Sequence, residues 1–196
     1  MSSSLKILNR LIAKLENNLG TRAEPSLGQP PYALFKLLDI RIGFIRECWL
    51  HPDSQFLYCE RVDIGEASPR EIGSGLQQHV PLAGMHGPVL VAANLKPRRL
   101  AGFQSNGMLL AAEAEGKIEL LRPPSAAPVG ERLGLEAEFA PGITALLPLL
   151  NPKKKVLEAC LPFLRTDAAG VVCFGEKKLV TSQGYVHTGL PHARVS

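Results

Sequence analysis

The stretch Asp39-Ile-Arg-Ile-Gly-Phe-Ile-Arg-Glu-Cys48 alternates in part: Ile40, Ile42 and Phe44 fall on one face, Arg41 and Ile45 on the other. A period of two marks it as a strand. His51-Pro-Asp-Ser54 follows as a turn cluster. Residues 56–64 then read as a second strand and 71–76 as a third, with further short strands at 88–93, 107–112 and 117–121. Five or six short strands broken by turn signals predict a mainly β fold, a small barrel. No long internal helix interrupts them, which excludes a doubly wound α/β fold.

Outward from this region the pattern changes on both sides. Leu5, Leu8, Ile12, Leu15 and Leu19 are spaced three, four, three, four, the a/d pattern of a heptad, and Gly20 fits a helix stop. Residues 1–20 are therefore a predicted amphipathic helix. Residues 21–31, with Pro25, Gly28, Pro30 and Pro31, form a linker. Residues 32–146 hold the strands. Residues 147–196 form a small α+β extension: Asn151-Pro152 opens a helix with Asn as cap and Pro at its first position, and Pro162 ends it. Strands at 171–174 and 179–181, joined by Gly175-Glu176, make a hairpin.

At 196 residues and 45% hydrophobic, the chain is long and apolar enough to bury a core. Apolar runs such as 143–150 are far shorter than the roughly 20 residues of a membrane span, so no membrane association is expected. Lys6, Arg10, Lys14 and Glu16 interrupt the start, which does not read as a signal peptide. The four cysteines form no C-x-x-C pair and read as reduced thiols of a cytoplasmic protein. Net charge is unevenly spread: +2 over residues 1–31, −2 over 32–146 and +4 over 147–196. A basic tail beside an acidic centre suggests a local patch for a polyanion.

Catalytic signatures are absent. No phosphate-binding glycine loop, dinucleotide fingerprint or nucleophile elbow occurs, and the five histidines lack metal-ligand spacing. Ser74 between Gly73 and Gly75 reads as a bend rather than a nucleophile. The expectation is a protein that is not an enzyme and holds no cofactor and no metal.

Eight peptides occur in order: Leu38-Asp-Ile-Arg-Ile-Gly43, His51-Pro-Asp-Ser54 with Leu57-Tyr58, Val62-Asp-Ile-Gly-Glu66, Ser74-Gly-Leu76, His79-Val-Pro-Leu82, Asn94-Leu-Lys-Pro97, Ser105-Asn-Gly-Met108 and Asn151-Pro-Lys-Lys-Lys155. Together, over about residues 35–186, they resemble the tRNA-binding domain of the endothelial-monocyte-activating polypeptide II family. That module is appended to, or associates with, methionyl- and tyrosyl-tRNA synthetases, and forms part of multisynthetase scaffolds. The resemblance implies a five-stranded oligonucleotide/oligosaccharide-binding (OB) barrel with a C-terminal extension that keeps the core monomeric. It also implies recognition of tRNA by shape, with little sequence preference. Lys96, Arg99, Ser105 and Met108 fall on the family's tRNA-contacting stretch, and Arg98, Asn106 and Arg41 are read with them. Where the family usually has Arg before Gly102, this chain has Ala101, and Arg98 or Arg99 can supply the charge. In some animal members a peptide aligned with residues 41–47 is linked to cytokine activity, which is not carried over here.

The residue types suit a folded polyanion. Arg98 and Arg99 can fork onto phosphate oxygens, and Lys96 acts as a point charge. Aromatic residues make up only 6%, which favours shape and phosphate recognition over base stacking. Lys153, Lys154 and Lys155 fall in the first turn of the predicted helix, where cations are unfavourable by about 0.3–1 kcal/mol each unless an anion is the partner. The leading function is a non-catalytic tRNA-binding accessory of a methionyl- or tyrosyl-type synthetase. The alternatives are a scaffold subunit of a multisynthetase complex and a cytokine-like signalling polypeptide. Leu5, Leu8, Ile12, Leu15 and Leu19 would contact a synthetase, a scaffold protein or a second copy.

Overall fold

The computed structural model describes residues 29–139 and 147–196. The heptad of Leu5, Leu8, Ile12, Leu15 and Leu19 lies outside them. The described chain opens with a single helical turn, α1 (Tyr32–Phe35), and runs into the long strand β1 (Ile40–Leu50). Next come β2 (Tyr58–Asp63), β3 (Arg70–Ser74), β4 (Gly87–Ala92), β5 (Arg98–Leu100), β6 (Phe103–Ser105), β7 (Met108–Leu109), β8 (Ala111–Ala114), β9 (Lys117–Leu120) and β10 (Gly134–Leu135). The C-terminal part holds α2 (Val156–Cys160), β11 (Leu164–Thr166), β12 (Val172–Phe174), β13 (Lys177–Thr181), β14 (Gly184–Tyr185) and β15 (Arg194–Val195).

Strand β1 organises the barrel because it is long enough to serve two neighbours. Its first half pairs with β4 and its second half with β2, with a bulge between Ile45 and Glu47. A bulge sharpens the local bend. The resulting antiparallel sheet has the order β3-β2-β1-β4-β7. On the free edge of β1, the Ile42 N–H donates to Glu131 O (2.9 Å) and the Leu133 N–H to Ile40 O (2.9 Å), nearly closing the barrel. Gly43 sits where the walls crowd: a Cβ there would lie 2.8 Å from Val91 Cγ2 and 2.9 Å from Val62 Cγ1.

Both faces of the opening stretch are apolar because each meets a different core. Ile45, Val62, Ile72, Val89 and Val91 fill the barrel interior. Ile40, Ile42, Leu90, Ala92, Leu110 and Leu121 point out of it and are covered by Val156, Cys160, Leu164, Val172, Phe174, Leu179 and Val195 of the C-terminal part. Strand β15 also pairs with β8, so the second sheet runs from the C-terminal strands onto the β8–β9 hairpin. The expected strands thus form, and the barrel is of the OB type. Phe44, placed with Ile40 and Ile42, is only partly buried and packs edge-on to His86 at 5.3 Å.

A buried polar knot closes one end. Asn94, 1% exposed, accepts from the Asp39 N–H (2.9 Å) and donates to Leu37 O (2.8 Å) and Pro148 O (3.2 Å). Asp39 accepts from Arg41 Nε (3.0 Å) and the Leu147 N–H (3.2 Å). Arg41, read from the sequence as a tRNA contact, lies inside this knot. It is 2% exposed, and as residue i+2 of Asp39 it shares a strand face with the carboxylate it pairs with.

Burial raises all four thiols, Cys48 and Cys160 to about 12. They pack as small apolar groups in their neutral form. Among the described residues no helix is long and apolar enough to cross a membrane.

Candidate nucleic-acid interface

The interface begins with the β5–β6 hairpin, which the sequence reading did not resolve. Arg98 pairs with Ser105, Arg99 with Gln104 and Leu100 with Phe103. The connecting residues Ala101 (φ 47°) and Gly102 (φ 92°) both lie in the left-handed region, as a two-residue turn requires. Ala101, at the position where the family's usual cation is missing, therefore sits at the exposed tip. Leu100 and Phe103 lie over Gly73 of β3, whose missing side chain admits them: a Cβ there would stand 3.2 Å from a Leu100 methyl and 3.3 Å from the Phe103 ring.

Ser105 holds the base of the hairpin. Its hydroxyl accepts from the Gly73 N–H (3.0 Å) and donates to Gly107 O (3.0 Å), and the residue is 4% exposed. Ser105, expected as a direct contact, thus has its hydroxyl engaged within the fold. Asn106 is half-buried and held by its backbone N–H and side-chain amide on Glu71 O. Arg70, clamped by Glu66, donates to Asn106 O (2.9 Å) as well. Glu66 is held below the usual carboxylate range by that hydrogen bond. The segment 105–108 is thus fixed from three directions.

Facing the hairpin is the segment that follows residue 150. The Leu150 N–H donates to Asn94 O (2.8 Å), which brings this wall beside Leu95 and Lys96. Between the walls lies a cleft of about 380 Å³. Lys96, Arg98, Leu100 and Met108 line one side, and Leu150, Asn151, Leu157 and Leu161 the other.

The three lysines depart from expectation. Asn151 does accept from the Lys153 N–H (3.0 Å), but the turn it caps is a 3₁₀ turn, Pro152–Lys154. Lys155 then adopts a left-handed conformation (φ 49°) and α2 starts only at Val156. The lysines do not occupy the first turn of an α-helix, so the macrodipole argument does not apply to them. They crown a tight turn, all three exposed.

Six of the ten expected contact residues, Lys96, Arg98, Arg99, Lys153, Lys154 and Lys155, are exposed, and Met108 and Asn106 are half-buried. Among the described residues no carboxylate pairs with any of the six cations. By contrast Arg46, Arg61, Arg70 and Lys36 are all neutralised by a carboxylate within 3.0 Å. The sequence reading missed the ring cluster beside the hairpin. Trp49 meets Phe103 edge-on at 6.1 Å, His51 meets the same ring at 6.4 Å, and Arg61 lies 5.8 Å over Trp49. Only the register Trp49↔Cys59↔Gly73 brings these distant residues to one sheet face.

An OB-type barrel whose outer cleft is bordered by Lys96 and Arg98, with further exposed, unneutralised cations at Arg99 and Lys153–Lys155, has the features of a nucleic-acid-binding class of domain. Residues 40–132 match the family model described as "Putative tRNA binding domain". The chain is 40% identical over 153 residues to the aminoacyl tRNA synthase complex-interacting multifunctional protein 1 of Cricetulus griseus, covering 78% of this chain and 41% of that protein. It is 45% identical over 126 residues to the cytoplasmic tyrosine–tRNA ligase of Xenopus laevis, covering 62% of this chain and 23% of the ligase. The crystal structure of the C-terminal domain of Plasmodium vivax p43 superposes with a TM-score of 0.73 at 33% identity, over 81% of this chain and 96% of that one. The chain belongs to this family of tRNA-binding domains. It spans about two fifths or less of the length of the curated relatives it matches here.

Proposed function

We propose that the protein is a non-catalytic, cytoplasmic tRNA-binding accessory that retains tRNA for an aminoacyl-tRNA synthetase of methionyl or tyrosyl type. The observation that carries this reading is a set of six exposed cations with no carboxylate partner among the described residues, of which Lys96 and Arg98 line the cleft. Such cations exchange condensed counterions for phosphate contacts, and tethering then raises the local tRNA concentration. With about 5–7 phosphates neutralised, log K should fall with log salt at a slope of roughly −4 to −6. A slope near zero, or equal affinity for folded tRNA and an unfolded single strand, would remove this reading.

Changing Lys153, Lys154 and Lys155 together to Ala should weaken tRNA binding by about 1–3 kcal/mol and flatten the slope by up to ~3 units. The midpoint of thermal unfolding should stay within a degree or two, because the side chains are exposed and break no ion pair when lost. Normal tRNA binding by the triple variant would take these lysines out of the interface.

The heptad stripe of Leu5, Leu8, Ile12, Leu15 and Leu19 supplies the tether in this reading. Fewer than three heptads are marginal alone, so the stripe needs a partner helix, favoured in trans from a synthetase or scaffold. Leu8→Asp with Leu15→Asp should abolish capture of the synthetase and leave tRNA affinity nearly intact. Unchanged elution volume and unchanged co-purification would reject the tether.

A further inference from the structure

We infer that the cleft between the β5–β6 hairpin and α2 receives one unstacked nucleoside of the bound tRNA, its base against Met108 and Leu157. This rests on the tRNA-binding reading above and deepens it.

The argument starts from what the cleft lacks and what borders it. Its floor is aliphatic: Leu95, Leu100, Met108, Leu157 and Leu161. Met108, Leu157 and Leu161 are each left partly exposed there. At about 380 Å³ it lies within the size range of small-molecule sites, roughly 300–1,000 Å³. A purely apolar occupant does not match the rim. Lys96 and Arg98 stand on the hairpin side, and Asn151 and Pro152 lead directly into the three lysines on the other. A polyanionic backbone held by Lys96 and Arg98 lies at the mouth of the cleft. The group that such a backbone can turn inward is a base, whose faces are apolar and whose edges are polar. Proteins that hold an extruded base commonly stack it between aromatic or apolar side chains. The thioether of Met108 is a polarisable wall for such a ring. Glu158, also lining the cleft, repels phosphate but can accept hydrogen bonds from an exocyclic amino group or a ribose hydroxyl.

The chain has three methionines, which makes the test direct. In protein labelled with ¹³C at the methionine methyls, saturating tRNA should move the Met108 resonance upfield by the ring current of the base. The Met85 resonance, from a residue 2% exposed in the barrel core, should stay in place. Inorganic phosphate should leave Met108 unmoved. Leu157→Trp, which fills the cleft and keeps every cation, should weaken tRNA binding about tenfold or more with an unchanged salt slope. Should that variant fail to fold, Met108→Ala removes one wall and should give the same loss at the same slope. An unmoved Met108 methyl, or one that phosphate moves equally, with salt-dependent tRNA binding intact, overturns the nucleoside site and leaves the proposed function standing. Absence of tRNA binding by the unaltered protein overturns the function itself.

Discussion

Asp39→Ala is expected to lower the unfolding free energy by about 3–5 kcal/mol and the thermal midpoint by about 6–20 °C. Asp39 is fully buried, and it is the carboxylate at the centre of two guanidinium groups. Arg41 Nε donates to it at 3.0 Å, and Arg132 Nε lies 3.8 Å from the same oxygen. Burial already lowers the pKa of Arg132, and the neighbouring Arg41 charge adds to that, opposed by Asp39. Without Asp39, two cations face each other in a poorly solvated place. The Leu147 N–H also loses its acceptor. Asp39→Asn removes the charge but keeps one oxygen as acceptor, for either Arg41 Nε or the Leu147 N–H, so its loss should be smaller. Denaturant titration of the three proteins measures both values. An Asp39→Ala protein within about 1 kcal/mol of its parent would show that the buried pair carries little.

The second large effect is on pH dependence. Glu60 is fully buried on β2, facing the barrel interior, and burial raises its pKa to about 8 from an ordinary value of 4.5. The Ser74 hydroxyl donates to its Oε1, which opposes part of that rise, while Oε2 has no partner. A raised carboxyl pKa means that the folded state holds a proton the unfolded state has released. Stability from this group is therefore full below about pH 4.5. It falls by about 1.4 kcal/mol per unit as pH rises towards 8, then levels off. The total is on the order of 5 kcal/mol. Asp63, Glu66 and Glu138, whose pKa values are lowered, act in the opposite sense and lose stability in acid. Glu60→Gln keeps the acceptor for Ser74 and removes the titration. It should match the parent near pH 4.5 and exceed it increasingly up to pH 8–9. Parallel stability curves for the two proteins over that range would show that Glu60 is ionised in the fold.

Much of the barrel was legible in the sequence because a strand declares itself locally. The alternation of residues 39–48, the turn at His51-Pro-Asp-Ser54 and the hairpin turn at Gly175-Glu176 depend on backbone preferences of adjacent residues. Lys96, Arg98 and Arg99, singled out from the sequence, are exposed in the fold, since a cation with no buried partner stays in solvent. The β5–β6 hairpin was not legible: each strand has three residues, and Arg98 and Arg99 break the apolar pattern a strand is recognised by.

Local pattern in the sequence set most of the strands, several turns and the chemistry available to the interface. Tertiary structure alone decided which of those groups meet solvent. Arg41 looks like the exposed arginines elsewhere in the chain until Asp39 is fixed by Asn94, 55 positions away, and by Leu147, 108 positions away. Ser105 reads as a contact until its hydroxyl finds Gly73, 32 positions away. Asn151 predicts a cap, yet whether an α-helix or a 3₁₀ turn follows was settled where Val156 and Cys160 had to reach the core. The physical reason is common to all three. Burial and hydrogen-bond partners are properties of pairs brought together by sheet register, and register joins residues whose separation leaves no trace in local pattern.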